Sequence, residues 1–291
     1  MKCVFSGMLA AALVLTMVPV DAAERIAIAA LPARVEAKEK PRDFDPAEYV
    51  LDQMIIGINK VERFDVMQAG DVQRILDDNL FKPADVKLEN AAALAKALKV
   101  RLLLFPVIRK LDLEVETEDR VLVQTKIAVC TVSVGGTLFD VQTKKAVPIG
   151  PYVEEDRKMG AESELKHYRV TSKVTEQMVK TALAKAVKKI RSRIYKLYPL
   201  VGKISLVDGQ VITIDIGSKM GVKVGQEYVI YGMVERENPI TGLKEKVREE
   251  VSMLQVDEVS EESAKCHVVK GDAEPLVGSE VVRSLKRRPE T

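Results

Sequence analysis

A row of alternating carboxylates is the strongest chemical pattern in this 291-residue sequence. Its members are Asp112, Glu114, Glu116 and Glu118. Because side chains two residues apart in a strand point to the same face, the spacing predicts an acidic ladder on one face of a strand. A calcium site is one interpretation, since hard cations prefer carboxylate oxygens. We favour the other interpretation, a solvated face whose acids pair across strands with Arg120 and Lys126.

A long basic helix is the second charged pattern. Between Ser172 and Leu197, apolar residues recur every three or four positions, which predicts a helix that packs on a sheet. The apolar stripe consists of Val174, Met178, Ala182, Ala186, Ile190, Ile194 and Leu197.

The same helix carries eight cations against one acid, Glu176. The cations are Lys173, Lys180, Lys185, Lys188, Lys189, Arg191, Arg193 and Lys196. Cations near a helix C-terminus offset the macrodipole, so a solvated basic face is one interpretation. The other is docking against an acidic neighbour, either the acidic ladder of an identical subunit or an anionic envelope surface.

The residues that could support catalysis are few and scattered. His167 precedes the basic helix, and His267 lies in a strand-like run near the C-terminus. Acid–base or nucleophilic catalysis needs partners gathered in one cleft, and no such motif surrounds either histidine. Gly217, Gly221 and Gly225 are followed by a strand and not by a helix, so we interpret them as turn residues and not as a phosphate loop. We therefore predict a non-enzyme and assign no catalytic, cofactor-binding or metal-binding residue.

Composition narrows the class of protein further. The sequence has 45 Lys and Arg against 43 Asp and Glu, an excess too small to make nucleic acid the expected partner. Two His and three Cys argue against a zinc site of the usual type. Cys130 and Cys266 lie in different predicted domains, so we expect two buried free thiols and no disulfide.

The N-terminal segment predicts export. The uncharged apolar run Met8–Val20 is too short to span a bilayer and is typical of a signal peptide. Small residues around Ala22 predict cleavage there, which would remove residues 1–22. Cys3 lies before the apolar run and not after it, which argues against a lipid anchor. We expect a periplasmic protein without a transmembrane segment.

The pattern of residues 23–199 predicts an α+β domain. Helices and strands alternate up to a strand at Arg101–Val107, and a second strand at Leu111–Glu118 begins an antiparallel meander. We expect Gly135-Gly136 to interrupt this meander and Pro148–Ser163 to be an irregular connection.

The pattern of residues 200–286 predicts a second, all-β domain. Short strands recur there about every ten residues between Gly-containing turns, which indicates a small barrel. Residues 287–291 form a tail.

The first domain resembles a fold of several envelope proteins. The blocks that carry the resemblance are R-I-A-I-A-A-L-P-A from Arg25, E-R-F-D-V-M-Q from Glu62 and A-A-A-L-A-K-A-L-K-V-R-L-L-L-F-P-V-I from Ala91. In type and order they are similar to the N-terminal domain of TolB, the curli secretion protein CsgG, the penicillin-binding-protein activator LpoB and the middle domain of FlgT. The resemblance implies a TolB-N/CsgG-like α/β sandwich with a mixed sheet.

The second domain resembles the C-terminal β-domain of the flagellar assembly protein FlgT. The stretch V-I-T-I-D-I-G-S-K-M-G-V-K-V-G-Q-E-Y-V-I-Y-G from Val211 carries this resemblance, which implies an SH3-like barrel. The FlgT family builds the H ring around the flagellar basal body in the periplasm. The order of the two domains therefore implies a structural or assembly protein that binds envelope proteins, including the flagellar basal body, or associates with itself into a ring.

Two other functions stay open. One is a TolB- or LpoB-like adaptor for outer-membrane or cell-wall machinery, and the other is a CsgG-like secretion component. The sequence lacks the separate domain that precedes the TolB-like domain in the FlgT family, so ring formation and flagellar service are expectations of the resemblance alone. Self-association would favour a ring component, and stoichiometric capture of one envelope enzyme would favour an adaptor.

Overall fold

The structure is a computed structural model that describes residues 25–37, 44–61, 63–82, 85–120, 123–159, 172–237, 244–271 and 276–284. The predicted signal peptide, residues 1–22, lies outside the described residues, as do His167 and the predicted tail 287–291. A mixed sheet with helices comes first in the chain, and a separate closed barrel of antiparallel strands follows. The α+β class and the barrel are therefore confirmed.

The first part of the chain contains the mixed sheet and the helices. Its strands are β1 (Ile26–Ala30), β2 (Arg34–Val35), β3 (Phe64–Val66), β4 (Leu102–Arg120), β5 (Val123–Asp140) and β6 (Lys145–Met159). Its α-helices are α1 (Pro46–Asn59), α2 (Ala69–Asp78), α3 (Ala91–Leu98) and α4 (Ser172–Leu197). Within the described part of the chain, no helix combines the length and apolarity needed to cross a membrane.

The sheet is parallel at one side and antiparallel at the other. Its strand order is β3-β1-β4-β5-β6, with β2 beside β4. β1 runs parallel to β3 and β4, whereas β4, β5 and β6 run antiparallel to their neighbours. The predicted meander is therefore confirmed. Among the strands that the structure describes, β6 lies at the edge of the sheet and pairs with β5 alone.

Helices cover both faces of this sheet. α1 begins at Pro46, because the Asp45 side chain accepts a hydrogen bond from the Ala47 N–H at 2.8 Å and proline is favoured as the first helical residue. α1 and α4 share a hydrophobic core with Leu104 on one face. α2 and α3 share another core with Leu103 on the opposite face. Successive residues of β4 thus serve different cores, as alternation in a strand requires.

The predicted interruption of the meander at Gly135-Gly136 is wrong. β5 continues through both residues to Asp140. The reason is a close approach between neighbouring strands, because a Cβ on Gly136 would lie 2.4 Å from the carbonyl oxygen of Phe105 in β4. Glycine here lets β4 and β5 meet without a break in their pairing, while the pairing of β5 with β6 shifts register between Val134 and Gly136.

Two further predictions for this region need correction. The irregular connection predicted at Pro148–Ser163 is wrong up to Met159, since those residues belong to β6, and residues 160–163 lie outside the described residues. Proline is tolerated there because an edge strand needs ladder hydrogen bonds on one side only. The two strands predicted at Arg101–Val107 and Leu111–Glu118 are one strand, β4, with a register shift between Ile108 and Lys110.

The second part of the chain is a closed barrel with strand order β10-β11-β8-β7-β12-β9. Its strands are β7 (Val201–Asp208), β8 (Val211–Ile214), β9 (Glu227–Glu237), β10 (Lys244–Val259), β11 (Ala264–Lys270) and β12 (Glu280–Arg283). Gly221 and Gly225 have φ angles of 86° and 81°, a region that favours glycine, which confirms them as turn residues. The barrel has its own hydrophobic core, which includes the fully buried Tyr228.

A few hydrogen bonds join the barrel to the first part of the chain. Arg283 Nη1 donates to the Val61 carbonyl at 2.7 Å, and the Tyr195 hydroxyl donates to the Arg283 carbonyl at 3.4 Å. The barrel core and the cores around the sheet are separate sets of residues. The domain boundary near residue 199 stays a prediction.

Candidate binding surface

The predicted basic helix is α4, and its apolar stripe is buried against the sheet. Val174, Met178, Ala182, Ala186, Ile190 and Ile194 are buried, and Leu197 is half-buried. The stripe belongs to one core with Cys130 and Val132 of β5, which confirms the predicted packing of this helix on a sheet. The cations of α4 whose side chains are described lie on its remaining surface.

Two of these cations bind the edge strand β6. Lys185 Nζ lies 3.0 Å from Asp156 Oδ1 and donates to the Glu155 carbonyl, also at 3.0 Å. Lys189 forms an ion pair with Glu154, whose side chain is only 13 % exposed. α4 and β6 are therefore attached by polar contacts beside the buried stripe.

These acidic partners of α4 were not predicted from the sequence, because they lie in the segment that was expected to be an irregular connection. Glu154 and Asp156 are nevertheless two residues apart and so share one face of a strand. That alternation was the available signal. The two prolines of the same segment, Pro148 and Pro151, pointed away from a strand and concealed it.

An open groove of about 650 Å³ lies between α4 and β6. We call it the basic groove. Its lining residues are Tyr152, Glu154, Lys185, Lys188, Lys189, Ser192, Arg193 and Lys196. Five of them are cationic and one is a carboxylate, so the groove carries net positive charge.

Three exposed cations of the basic groove form no ion pair with any residue that the structure describes. They are Lys188, Arg193 and Lys196. At 1.5 Å rise per residue, they extend over about 12 Å of the helix. Ammonium and guanidinium groups donate strong hydrogen bonds to carboxylates, so an acidic partner could meet these three groups together.

Two other cations of α4 lie outside the basic groove. Lys180 Nζ is 2.6 Å from Glu176 Oε1 and 5.2 Å from the ring centroid of Phe44. Arg191 packs beside α1, with its Cδ 3.4 Å from where a Cβ on Gly57 would lie. The side chain of Lys173 is not among those described.

The acidic ladder lies on the face of the sheet opposite α4. In the β4–β5 register, Asp112 is opposite Thr131 and Glu114 is opposite Val129. α4 instead packs against the alternate residues of β5, which include Cys130. The acidic ladder and the basic groove of one chain therefore cannot pair with each other.

Cations bind two members of the acidic ladder. Asp112 Oδ2 is 2.6 Å from Lys110 Nζ, and Glu116 Oε2 is 3.4 Å from Arg157 Nη1 of β6. The predicted partner Lys126 is opposite Thr117 in the register, on the other face of the sheet.

The structure supports the ladder as a charge-paired surface. Neither Glu118 nor Arg120 has a described side chain. Where side chains are described, no group of three or more His, Cys, Asp and Glu could hold a metal ion.

The described histidine, His267, and the two described cysteines, Cys130 and Cys266, do not line the basic groove. His267 Nδ1 is 2.7 Å from Asp257 Oδ2 on the barrel surface. Cys130 and Cys266 are free and buried, as predicted. Burial raises the pKa of each thiol to about 12. A thiol with such a pKa is a poor nucleophile at neutral pH because it is protonated.

A buried carboxylate at the end of β5 is a polar centre that sequence analysis missed. Asp140 accepts hydrogen bonds from Arg101 Nη2 at 3.1 Å and from the Tyr198 hydroxyl at 3.0 Å. Burial opposes its ionisation, but these hydrogen bonds outweigh burial and hold the pKa of Asp140 below its ordinary value. Asp140 also accepts a hydrogen bond from the nearby Gln142 N–H at 2.9 Å. Its two side-chain partners, by contrast, lie just before β4 and just after α4, so the sequence offered no local signal for them. We assign this centre a structural role.

Comparison with known proteins finds solved structures of low similarity to this chain. No family model and no curated protein matches the chain. Among solved structures, lipoprotein GNA1162 from Neisseria meningitidis is similar at 16 % identity and a TM-score of 0.35, covering 55 % of this chain and 96 % of that one. The LpoB C-terminal domain from Salmonella enterica is similar at 8 % identity and a TM-score of 0.29, covering 47 % and 84 %. The PelC dodecamer from Paraburkholderia phytofirmans is similar at 11 % identity and a TM-score of 0.26, covering 57 % and 89 %.

Proposed function

We propose that this chain is a non-enzymatic structural or assembly protein of the cell envelope that binds an acidic protein partner through the basic groove. The observation that carries the proposal is the placement of five cations against one carboxylate along α4 and β6. Such a concentration of one sign of charge attracts an oppositely charged partner and fixes its orientation.

The form of the basic groove favours a macromolecular partner. It is open along a helix and an edge strand, so a ligand would be bound along one side and left accessible on the other. Its cations are spread over several turns of α4 and do not converge on one point. An acidic protein surface fits this arrangement, because its carboxylates are also spread out.

The finer form of the proposal follows the resemblance in the sequence. We propose a periplasmic protein, released by cleavage near Ala22, whose first domain is TolB-N/CsgG-like and whose barrel is SH3-like. In that form it serves the flagellar basal body as a ring or ring-associated component, like members of the FlgT family. The order of a mixed-sheet part and a barrel supports this form of the proposal.

A deletion of the gene in the source organism tests the flagellar form. Cryo-electron tomography of motors and a swimming assay would be performed in parallel on the wild type and the deletion strain. We expect the deletion to remove a periplasmic ring density and to abolish swimming. Intact motors with normal swimming would contradict the flagellar form and would favour the adaptor for outer-membrane or cell-wall machinery.

Complementation of the same deletion tests the basic groove. The groove variant carries Lys188→Glu, Arg193→Glu and Lys196→Glu. The control variant makes the same change at Lys60, Lys87 and Lys270, which are exposed elsewhere. We expect the control variant to restore the function that the deletion removes and the groove variant to fail at an equal protein level. Full restoration by the groove variant would contradict binding through this surface.

A further inference from the structure

We propose that the acidic partner is a second copy of this chain, whose acidic ladder docks on the basic groove. The inference rests on the proposed function and deepens it by naming the partner and both surfaces. It commits the chain to self-association between two different surfaces, one acidic and one basic.

The two surfaces match in sign and in length. Asp112, Glu114 and Glu116 lie two residues apart along β4, so the outer two are about 13 Å apart. Lys188, Arg193 and Lys196 extend over about 12 Å of α4. Each row is therefore long enough to place its charges against the other row.

The cations already beside the acidic ladder leave room for this contact. Lys110 binds Asp112, and Arg157 binds Glu116. A carboxylate has two oxygens and can accept several hydrogen bonds, so a second cation can bind without displacing the first. Glu154 and Asp156 bind Lys189 and Lys185 in the same way, which leaves the outer cations of α4 for the second copy.

The position of the two surfaces determines the kind of assembly. The acidic ladder and α4 lie on opposite faces of one sheet, so a copy bound through its basic groove still presents its acidic ladder to another copy. The contact is therefore heterologous, and its repetition gives a ring if the rotation between subunits closes and a filament if it does not.

Sedimentation velocity of the mature chain, residues 23–291, tests the inference. The samples are the wild type, the groove variant, the control variant and a ladder variant with Asp112→Lys, Glu114→Lys and Glu116→Lys. We expect the wild type and the control variant to form oligomers. Each of the other two variants should bind itself at least about tenfold more weakly, since like charges then face each other. Added salt should weaken wild-type association because it screens exposed charges.

A mixture of the groove variant and the ladder variant is the sharpest measurement. The groove variant keeps a normal acidic ladder, and the ladder variant keeps a normal basic groove. The mixture should therefore form complexes that contain both variants, through the normal acidic ladder of one and the normal basic groove of the other. The two altered surfaces are also opposite in charge, so these complexes can grow by alternation of the two variants. A mixture that stays monomeric while the wild type forms oligomers would overturn the inference.

Further measurements separate this inference from the proposed function and from misfolding. Circular dichroism must show native folding for every variant. If the ladder variant with three lysines does not fold, a neutral ladder variant with Asp112→Asn, Glu114→Gln and Glu116→Gln replaces it. A wild type that stays monomeric overturns the inference, including the case in which it binds phosphatidylglycerol vesicles through the basic groove. The complementation test still decides the proposed function by itself. If the basic groove binds a different protein, the groove variant would still fail to restore function, although the inference about a second copy would be wrong.

Discussion

The carboxylate of Asp140 joins the start of β4 to the end of α4 through Arg101 and Tyr198. Its side chain is only 3 % exposed, so replacement by a neutral amide weakens two charge-assisted hydrogen bonds in a shielded place. We expect Asp140→Asn to lower the free energy of unfolding at neutral pH by about 2 kcal/mol. Urea unfolding followed by circular dichroism measures the difference.

The pH dependence of this loss has a defined direction. The folded pKa of Asp140 lies below the ordinary carboxyl value of 3.8, so the unfolded state binds protons more readily. The stabilisation by Asp140 is therefore complete above that value and is lost as the pH falls through the folded pKa. The difference between wild type and Asp140→Asn should stay constant from about pH 7 to about pH 5 and shrink as the pH falls below about 4. A difference that does not shrink at all would contradict the assigned role.

Individual residues were predictable from sequence where the signal was local. Buried free thiols followed from the apolar runs around Cys130 and Cys266, and the acidic ladder followed from a spacing of two. Asp140 was not predictable, because its partners Arg101 and Tyr198 are distant in sequence and meet it only after the strands and α4 have packed.

Among the secondary-structure elements, β5 depends on the close approach of its neighbour at Gly136. We expect Gly136→Ala to lower the free energy of unfolding by about 2 kcal/mol, because the added methyl group would collide with the Phe105 carbonyl. Gly70→Ala in α2 is the control, since nothing lies within 4 Å of an added Cβ there. That variant should be as stable as the wild type or slightly more stable, because alanine favours helices. Equal stability of both variants in thermal unfolding would contradict the close contact.

The two adjacent lysines of α4 should differ in their effect on stability. Lys189→Met leaves the largely buried Glu154 without its cation, so we expect a loss of about 1 kcal/mol in the free energy of unfolding. Lys188→Met removes a cation without an ion pair among the described residues, and we expect a change within about 0.5 kcal/mol. Guanidinium titration of both variants checks the pair. A larger loss for Lys188→Met would mean that this lysine supports the fold and is not available for binding.

Helices and strands were predictable from the sequence where the residues of the segment itself carry the signal. The bounds of α4 followed from the apolar residues that recur every three or four positions. β6 was missed because its prolines suggest a loop, while its pairing with β5 is a tertiary interaction. The same missed strand supplies one wall of the basic groove, so the groove itself could not be predicted from the sequence.

On the scale of the whole molecule, the barrel and the sheet have separate cores and few connecting hydrogen bonds. We therefore expect residues 200–286, produced alone, to fold into the barrel and to unfold cooperatively. The barrel would lose the bond between Arg283 and Val61, so its free energy of unfolding should fall by about 1 kcal/mol relative to the barrel in the full chain. A β-rich circular dichroism spectrum with a sigmoidal denaturant curve would confirm the predicted boundary. A spectrum of an unfolded chain would contradict it.

Photo-crosslinking in living cells tests most directly the claim that this protein acts by binding through the basic groove. A photoreactive amino acid replaces Ser192 within the groove or, as a control, Gln73 on the exposed surface of α2. We predict a defined protein adduct from Ser192 that disappears when Lys188, Arg193 and Lys196 are changed to Glu, with no such adduct from Gln73. The mass of the adduct would distinguish a second copy of the chain from another envelope protein. No adduct from Ser192, or one that persists after charge reversal, would contradict the claim.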